Sequence, residues 1–367
     1  MINRRNFITT LGAAAVSVRF SASETGHIYI ESLKKHANQK GVLFGSSLAL
    51  KYFDRFPAYR ELFLAQCDVA TPEFQMKWNS LSRQPGVYDF GAADQLVNFC
   101  VTSQVKVRGH TLVWHDSLPA WVPAQISPAT AQSVMSAHIQ KVAGHFAGKL
   151  YSWDVVNEIL DPGSRRADGL RTNIWLQNIG ADYIEQAFRD TAAADSKAIL
   201  IWNENYLELS NDFGKAKRAA LLNHLDRLLA KEVPIHGIGL EAHLRADQVN
   251  FLGDTAYRQF LDELRKRRMK VFITELDVQD SALPSDIQER DRLVAEIYRS
   301  FLSSSLESPA VKGVIAWGLS DAFSWIAGYR PRSDGLPVRP LAFDAQCEPK
   351  PAYFAILKAL ESAPRRG

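Results

Sequence analysis

Short apolar or β-branched runs recur along this chain near residues 42-45, 68-72, 106-113, 152-156, 198-202, 235-240, 270-274 and 311-317. Each is followed by a longer stretch whose apolar positions fall at helical spacing. The runs begin 26 to 46 residues apart, room each time for a strand, a loop, a helix and a return loop. Helices are predicted within Tyr59–Leu64, Ala131–His145, Tyr183–Asp190, Leu221–Leu229 and Tyr257–Leu264. Eight such units predict an α/β fold, a (β/α)8 TIM barrel forming a single domain over residues 24-367. A doubly wound open sheet is the alternative, but no glycine-rich phosphate loop follows the first run. No low-complexity linker or fixed-period repeat interrupts the pattern.

A barrel collects its chemistry at the carboxyl ends of its strands. Polar and aromatic residues gather there: Glu73, Lys77 and Trp78 after the second run, His110, Trp114 and His115 after the third, Asn157 and Glu158 after the fourth. Asn203 and Glu204 follow the fifth, Glu241 and His243 the sixth, Glu275 and Asp277 the seventh, and Trp317 the eighth. Runs four and seven end on Glu158 and Glu275 across the barrel mouth. Two opposed carboxyl groups are what glycosidic hydrolysis needs, one to protonate a poor leaving group and one to attack the anomeric carbon. A single glutamate at such a position reads as readily as a rim salt bridge. His110, His115 and His243 lack the His-x-His spacing of metal-dependent barrels, so neither a metal nor another cofactor is expected. Trp78, Trp114, Trp317 and Trp325 suit a sugar ligand, because indole faces stack on the C–H faces of pyranose rings; packing in the core is the alternative for each.

Composition narrows the field further. At 46% hydrophobic residues the chain can bury a substantial core, and no window approaches the roughly 18 uncharged apolar residues of a membrane span. Arg4 and Arg5 precede Asn6-Phe7-Ile8 and a mildly apolar run, which predicts a twin-arginine-like export signal over residues 1-23 and a periplasmic or extracellular location; a Sec-type signal or an uncleaved disordered leader is the alternative. Removal of residues 1-23 takes away three arginines and no acid, leaving 40 basic and 40 acidic residues. A neutral surface argues against nucleic acid or a membrane as partner and suits a neutral polysaccharide. Cys67, Cys100 and Cys347 are expected as buried thiols, with a Cys67–Cys100 bridge the alternative that export would permit.

At these residues the chain closely resembles glycoside hydrolase family 10, the barrel-type endo-β-1,4-xylanases, from about Gly45 to Tyr353. The motifs are Met76-Lys77-Trp78, Arg108 to His115, Trp153 to Glu158, Gly237-Ile238-Gly239-Leu240, Ile273 to Val278, Trp317-Gly318 with Ser324-Trp325, and Lys350-Pro351-Ala352-Tyr353 in the closing helix. The resemblance implies cleavage of internal β-1,4-xylosidic bonds with retention of configuration. It makes Glu158 the acid/base, Glu275 the nucleophile, Asn157 the partner of the sugar 2-hydroxyl and His243 the group that orients Glu275. Glu73, Lys77, His110 and Trp114 would hold the glycone side, Glu241 would lie beside the nucleophile, and Trp317 and Trp325 would stack around the cleavage point. Xylan or a xylo-oligosaccharide is the expected partner of a monomer. The catalytic carboxyls are expected about 5 to 5.5 Å apart, with the Glu158 pKa raised by the negative charge of Glu275.

Three positions depart from the family pattern. Phe74 replaces the usual Asn after the strand-two glutamate, Glu241 replaces a Gln, and Asn203-Glu204-Asn205-Tyr206 stands for the usual Asn-Asp-Tyr-Asn. Glu241 is expected to hold or share a proton, unless a basic residue neutralises it. Phe74 either presents an apolar surface to the glycone or turns into the core while Gln75 takes over. The altered positions leave open a β-1,4-glucanase or a glycosidase of aryl-linked or short sugars. A non-catalytic carbohydrate-binding barrel would require a lost carboxylate, and both are present.

Overall fold

The computed structural model describes residues 30–247 and 254–366. Contacts along the chain divide it into residues 1–31 and 32–367, and the architecture below belongs to the second part. The export segment expected over residues 1-23 lies outside the described residues.

The described strands are β1 (Leu43–Leu48), β2 (Val69–Pro72), β3 (Lys106–Gly109), β4 (Ser152–Asn157), β5 (Ile199–Glu204), β6 (Gly237–Leu240), β7 (His243–Arg245), β8 (Lys270–Gln279) and β9 (Val311–Ala316). Neighbours pair in parallel from β1 round to β6; β6 then pairs with β8, β8 with β9, and β9 with β1, which closes the ring. Eight strands therefore form the expected barrel. The short β7 continues the line of β6 after a break at Ala242, where φ is 58°, and pairs with the far end of β8. Strand three is shorter than its sequence suggests: it ends at Gly109, and only Val113 returns to the sheet, as an isolated bridge to Val156.

The barrel interior is a packed core in which Val69, Ile201, Phe272 and Ile315 meet from β2, β5, β8 and β9. Burial on both faces explains why these strands read as continuous apolar runs. Three of the long helices around the barrel start on side-chain caps. Asn211 accepts from the Gly214 amide at the head of Asp212–Ala230, Asp254 from Tyr257 at the head of Thr255–Lys266, and Asp286 from Glu289 at the head of Ile287–Leu306. The closing helix Pro351–Ser362 carries its proline in the first turn, where the missing N–H is not needed, and packs on Ile287–Leu306. Cys67 and Cys100 are buried free thiols, so the disulfide alternative is set aside, whereas Cys347, expected to be buried, is a free thiol left partly exposed in the turn before the closing helix.

One glycine links the wall to the mouth. A Cβ at Gly239 in β6 would sit 2.0 Å from Asn203 Oδ1 and 3.0 Å from Thr274 Cγ2. Gly239→Ala must therefore push Asn203 out of place. The expected cost is about 1 to 3 kcal/mol of stability, read as a lower urea midpoint at unchanged slope; an unchanged midpoint would show that Asn203 can yield without loss.

Candidate active site

The strand ends open into a cleft of about 420 Å³, walled by Glu158, Glu275, Glu241, His243, Asn157, His110, Lys77, Trp114, Trp317 and Trp325 among others. Residues from seven different strand ends thus converge as the barrel reading requires. Glu73, also singled out in the sequence, is buried beside β2 and is not among the residues lining this cleft. Its carboxyl is pushed up to about 7 by burial, against the opposing charges of Lys77 and Lys51.

Glu275 lies near the middle of β8 and is held on both oxygens. Asn203 Nδ2 donates to Oε1 at 3.0 Å and His243 Nε2 lies 3.2 Å from Oε2. The other face of His243 is fixed in turn: Nδ1 lies 3.0 Å from Asp277 Oδ2, which accepts from Trp325 Nε1 at 2.7 Å. Burial works against charge on His243, yet Asp277 and Glu275 on either side hold its pKa well above the ordinary imidazole value. Burial would likewise raise the Glu275 carboxyl, but His110, with Nδ1 3.9 Å away, together with His243 and Lys77, brings it down to about 2. His110 is itself anchored, with Nδ1 2.9 Å from Asp154 Oδ2, while Asp154 Oδ1 accepts from Arg108 at 2.6 Å.

Glu158 stands one residue past β4 with φ 52°, a left-handed conformation that costs a non-glycine residue of order 1 kcal/mol. The surroundings fix that turn. The Glu158 amide donates to Asn203 O, and Arg171 Nε donates to the Glu158 carbonyl at 2.8 Å. Glu204 Oε1 accepts from the next two amides, Ile159 at 2.8 Å and Leu160 at 3.0 Å, and from Trp202 Nε1. Lys217 Nζ, fully buried on the helix Asp212–Ala230, lies 2.8 Å from Glu204 Oε2 and completes the pair. Burial is the leading cause of the raised Glu158 pKa, with Glu275 and Glu204 adding to it and Arg171 and Lys217 opposing. The expected contribution of Glu275 is present but stands second to enclosure: a carboxyl this enclosed is disfavoured as an anion even before its neighbour is counted.

Other positions differ from expectation. Trp78 is only 3% exposed and stacks between His138, at 3.5 Å and 10°, and Trp175, at 5.6 Å and 6°. It belongs to the packing behind the mouth, whereas Trp114, Trp317 and Trp325 line the cleft. Phe74 does not turn into the core; it is 39% exposed, with Lys51 Nζ 4.9 Å and Lys77 Nζ 5.8 Å from its ring centroid. Tyr206 lines the cleft in a left-handed conformation, φ 58°. Asn203, Arg171, Asp277, Glu204 and Lys217 were not among the expected contact residues. Asn203, Glu204 and Asp277 are legible in the sequence as strand-end polar residues though not with these roles, whereas Lys217 sits in Lys215-Ala216-Lys217-Arg218, which reads as a solvated helix face.

Glu241, His243 and Glu275 bring ligand-type atoms within 4.8 Å of one another, but His243 directs Nε2 at Glu275 itself and Nδ1 at Asp277, so its nitrogens are committed to ion pairs with those two carboxylates. Chemically, the cleft presents one carboxyl held as an anion and a second held back from ionising. That division suits a nucleophile and a proton donor acting on one bond.

Comparison with known proteins agrees with this geometry. The model of glycosyl hydrolase family 10 matches residues 32–359. The endo-1,4-beta-xylanase B of Thermotoga neapolitana is 33% identical over 305 residues, 83% of each chain. The beta-1,4-xylanase of Dictyoglomus thermophilum is 32% identical across 98% of this chain and all of its own. The crystal structure of xylanase 10B from Thermotoga maritima superposes with a TM-score of 0.81 at 32% identity, covering 90% of this chain and 98% of that one. The xylanase 10B of Thermotoga petrophila, in complex with xylobiose, matches at the same TM-score. With the barrel, the paired carboxyl groups and a match along nearly all of residues 32–367, the chain belongs to glycosyl hydrolase family 10.

Proposed function

We propose that the chain is an endo-1,4-β-xylanase that cleaves internal xylosidic bonds by double displacement with retention, Glu275 acting as nucleophile and Glu158 as acid/base. The observation that carries the reading is the unequal partnering of two carboxyl groups in one cleft: Glu275 is held on both oxygens by Asn203 Nδ2 and His243 Nε2, which favours its anion, while Glu158 is enclosed, which favours its acid although Arg171 lies 4.0 Å away. Protonated Glu158 donates to the glycosidic oxygen while Glu275 attacks the anomeric carbon. The glycosyl ester then breaks when Glu158, now an anion, takes a proton from the attacking water. Asn157 gives its side-chain oxygen to Asn203 Nδ2 at 2.8 Å, and no described residue accepts from its own Nδ2; this suits a hydrogen bond to the 2-hydroxyl of the attacked sugar. Trp317 and Trp325 supply faces for stacking. The xylanase names of the relatives support xylan as substrate, and release of reducing ends from xylan rather than cellulose tests it. A twin-arginine signal and action as an exported monomer remain part of the proposal, tested by fusing residues 1-23 to a reporter and by sedimentation.

The roles separate by leaving group. Glu275→Ala is expected to abolish turnover of all substrates. Glu158→Ala should spare the first step for aryl glycosides whose leaving group needs no proton, while losing about 10²- to 10⁴-fold on xylan. Azide should yield a glycosyl azide only with these variants. Equal loss of activated and unactivated substrates in Glu158→Ala would remove Glu158 from the acid/base role.

Phe74 bears on selectivity. Lys77 Nζ, which lies near the Phe74 ring, also lies 5.3 Å from the Trp114 ring and 6.0 Å from the Trp317 ring, so Phe74 adjoins the aromatic glycone wall. Phenylalanine cannot exchange hydrogen bonds with sugar hydroxyls there. Each lost bond is worth ~0.5 to 1.5 kcal/mol, so Phe74→Asn should raise kcat/KM on xylotriose about three- to tenfold and leave cellotriose unchanged. No change on either substrate in a folded variant would exclude Phe74 from sugar recognition.

A further inference from the structure

Glu241 is a buried carboxyl group of the cleft that the proposed mechanism does not use. It is 3% exposed and lines the cleft beside both carboxyls of the reaction. Its backbone is tied on both sides: its N–H donates to Glu204 O at 3.0 Å, and its carbonyl accepts from the Glu275 amide at 2.9 Å. The carboxyl therefore stays beside Glu275.

Hydrogen counting then becomes decisive. Asn203 Oδ1 accepts from Thr274 Oγ1 at 2.7 Å, and Nδ2 points into the cluster, where only oxygen acceptors face it. Nδ2 has two hydrogens and faces three acceptors: Asn157 Oδ1 at 2.8 Å, Glu275 Oε1 at 3.0 Å and Glu241 Oε1 at 3.3 Å. Glu241 is the most distant claimant. No described cation forms an ion pair with it. His243 is engaged by Glu275 and Asp277, and Lys217 by Glu204 and Asn205.

We infer that Glu241 is a positioning residue that carries a proton in the free enzyme, and that this proton keeps the two hydrogens of Asn203 on Asn157 and Glu275. The inference rests on Glu275 and Glu158 having the roles proposed above. The groups facing Glu241 are Glu275 on β8, Glu158 past β4, His243 on β7, Lys217 on the helix Asp212–Ala230 and Tyr206 past β5. Burial, Glu275 and Glu158 raise its pKa well above the ordinary value, and His243 and Lys217 do not offset them. A neutral carboxyl is close in shape to the glutamine that the family usually carries, and like it can donate. Once ionised, Glu241 becomes a stronger acceptor, draws the Asn203 amide away from Glu275, and sets a second negative charge beside the nucleophile. Activity should then fall as pH rises through the Glu241 ionisation.

The measurement is the pH profile of kcat/KM on a 3,4-dinitrophenyl xylobioside, whose leaving group needs no proton, so that ionisation of Glu158 does not shape the alkaline side. The native enzyme is expected to lose about tenfold per pH unit beyond one alkaline ionisation. Glu241→Gln and, as a second neutral variant should the first fail to fold, Glu241→Met are expected to hold their activity at least one pH unit further. A flat native profile, or the same alkaline fall in the neutral variants, overturns the inference. Absence of any turnover of the xylobioside by the native enzyme would instead overturn the xylanase reading itself.

Discussion

Three carboxyl groups share one cleft, two of them on a single buried amide, and each opposes the ionisation of the others. At the short distances around Asn203, in surroundings largely closed to water, each further negative charge raises the cost of the next. The mouth of the barrel resolves this by unequal treatment. Glu275 receives two imidazoles and the Asn203 amide, Glu158 receives enclosure with an arginine 4.0 Å from its carboxyl, and Glu241 receives the remainder. Reactivity is thus set by how charge partners are shared out, since the chemistry of the three side chains is identical.

That sharing depends on polar groups further from the cleft. Asp277 and Trp325 fix one imidazole, while Asp154 and Arg108 fix the other. Glu204 holds the amides following Glu158, and Lys217 neutralises Glu204 with both groups fully buried. A buried pair of this kind contributes little net stability over apolar residues of similar volume, yet removal of one member strands a charge and costs roughly 3 to 5 kcal/mol. Its value here is positional: it keeps a left-handed glutamate in place at the end of a strand.

Much of this was legible in the chain. The barrel could be read because strands buried on both faces appear as uninterrupted apolar runs, and helices such as Ala131–His145 carry a clear amphipathic period. Glu158 and Glu275 could be read because each ends or interrupts such a run. The end of β3 was misread because Leu112 and Val113 prolong the apolar pattern after the chain has left the sheet. β7 has three residues, too few for any period to register. Trp78 was misplaced because its position in the chain gives proximity to a strand end but not the direction of the ring, which packing against His138 and Trp175 decides. The status of Phe74 and Glu241 depended on the identity of their neighbours, which no local pattern encodes.

The break between β6 and β7 gives the site its mechanical character. Because β7 resumes beside the outer half of β8, His243 is paired in register with Asp277, two residues beyond Glu275. The imidazole, its carboxylate support and the nucleophile are thus spaced by the sheet itself, without a mobile loop between them. Loosening that triangle requires shearing two barrel strands. Heat should consequently leave no window in which the barrel is intact but the nucleophile has lost its imidazole, and loss of activity should accompany the collective unfolding of the sheet.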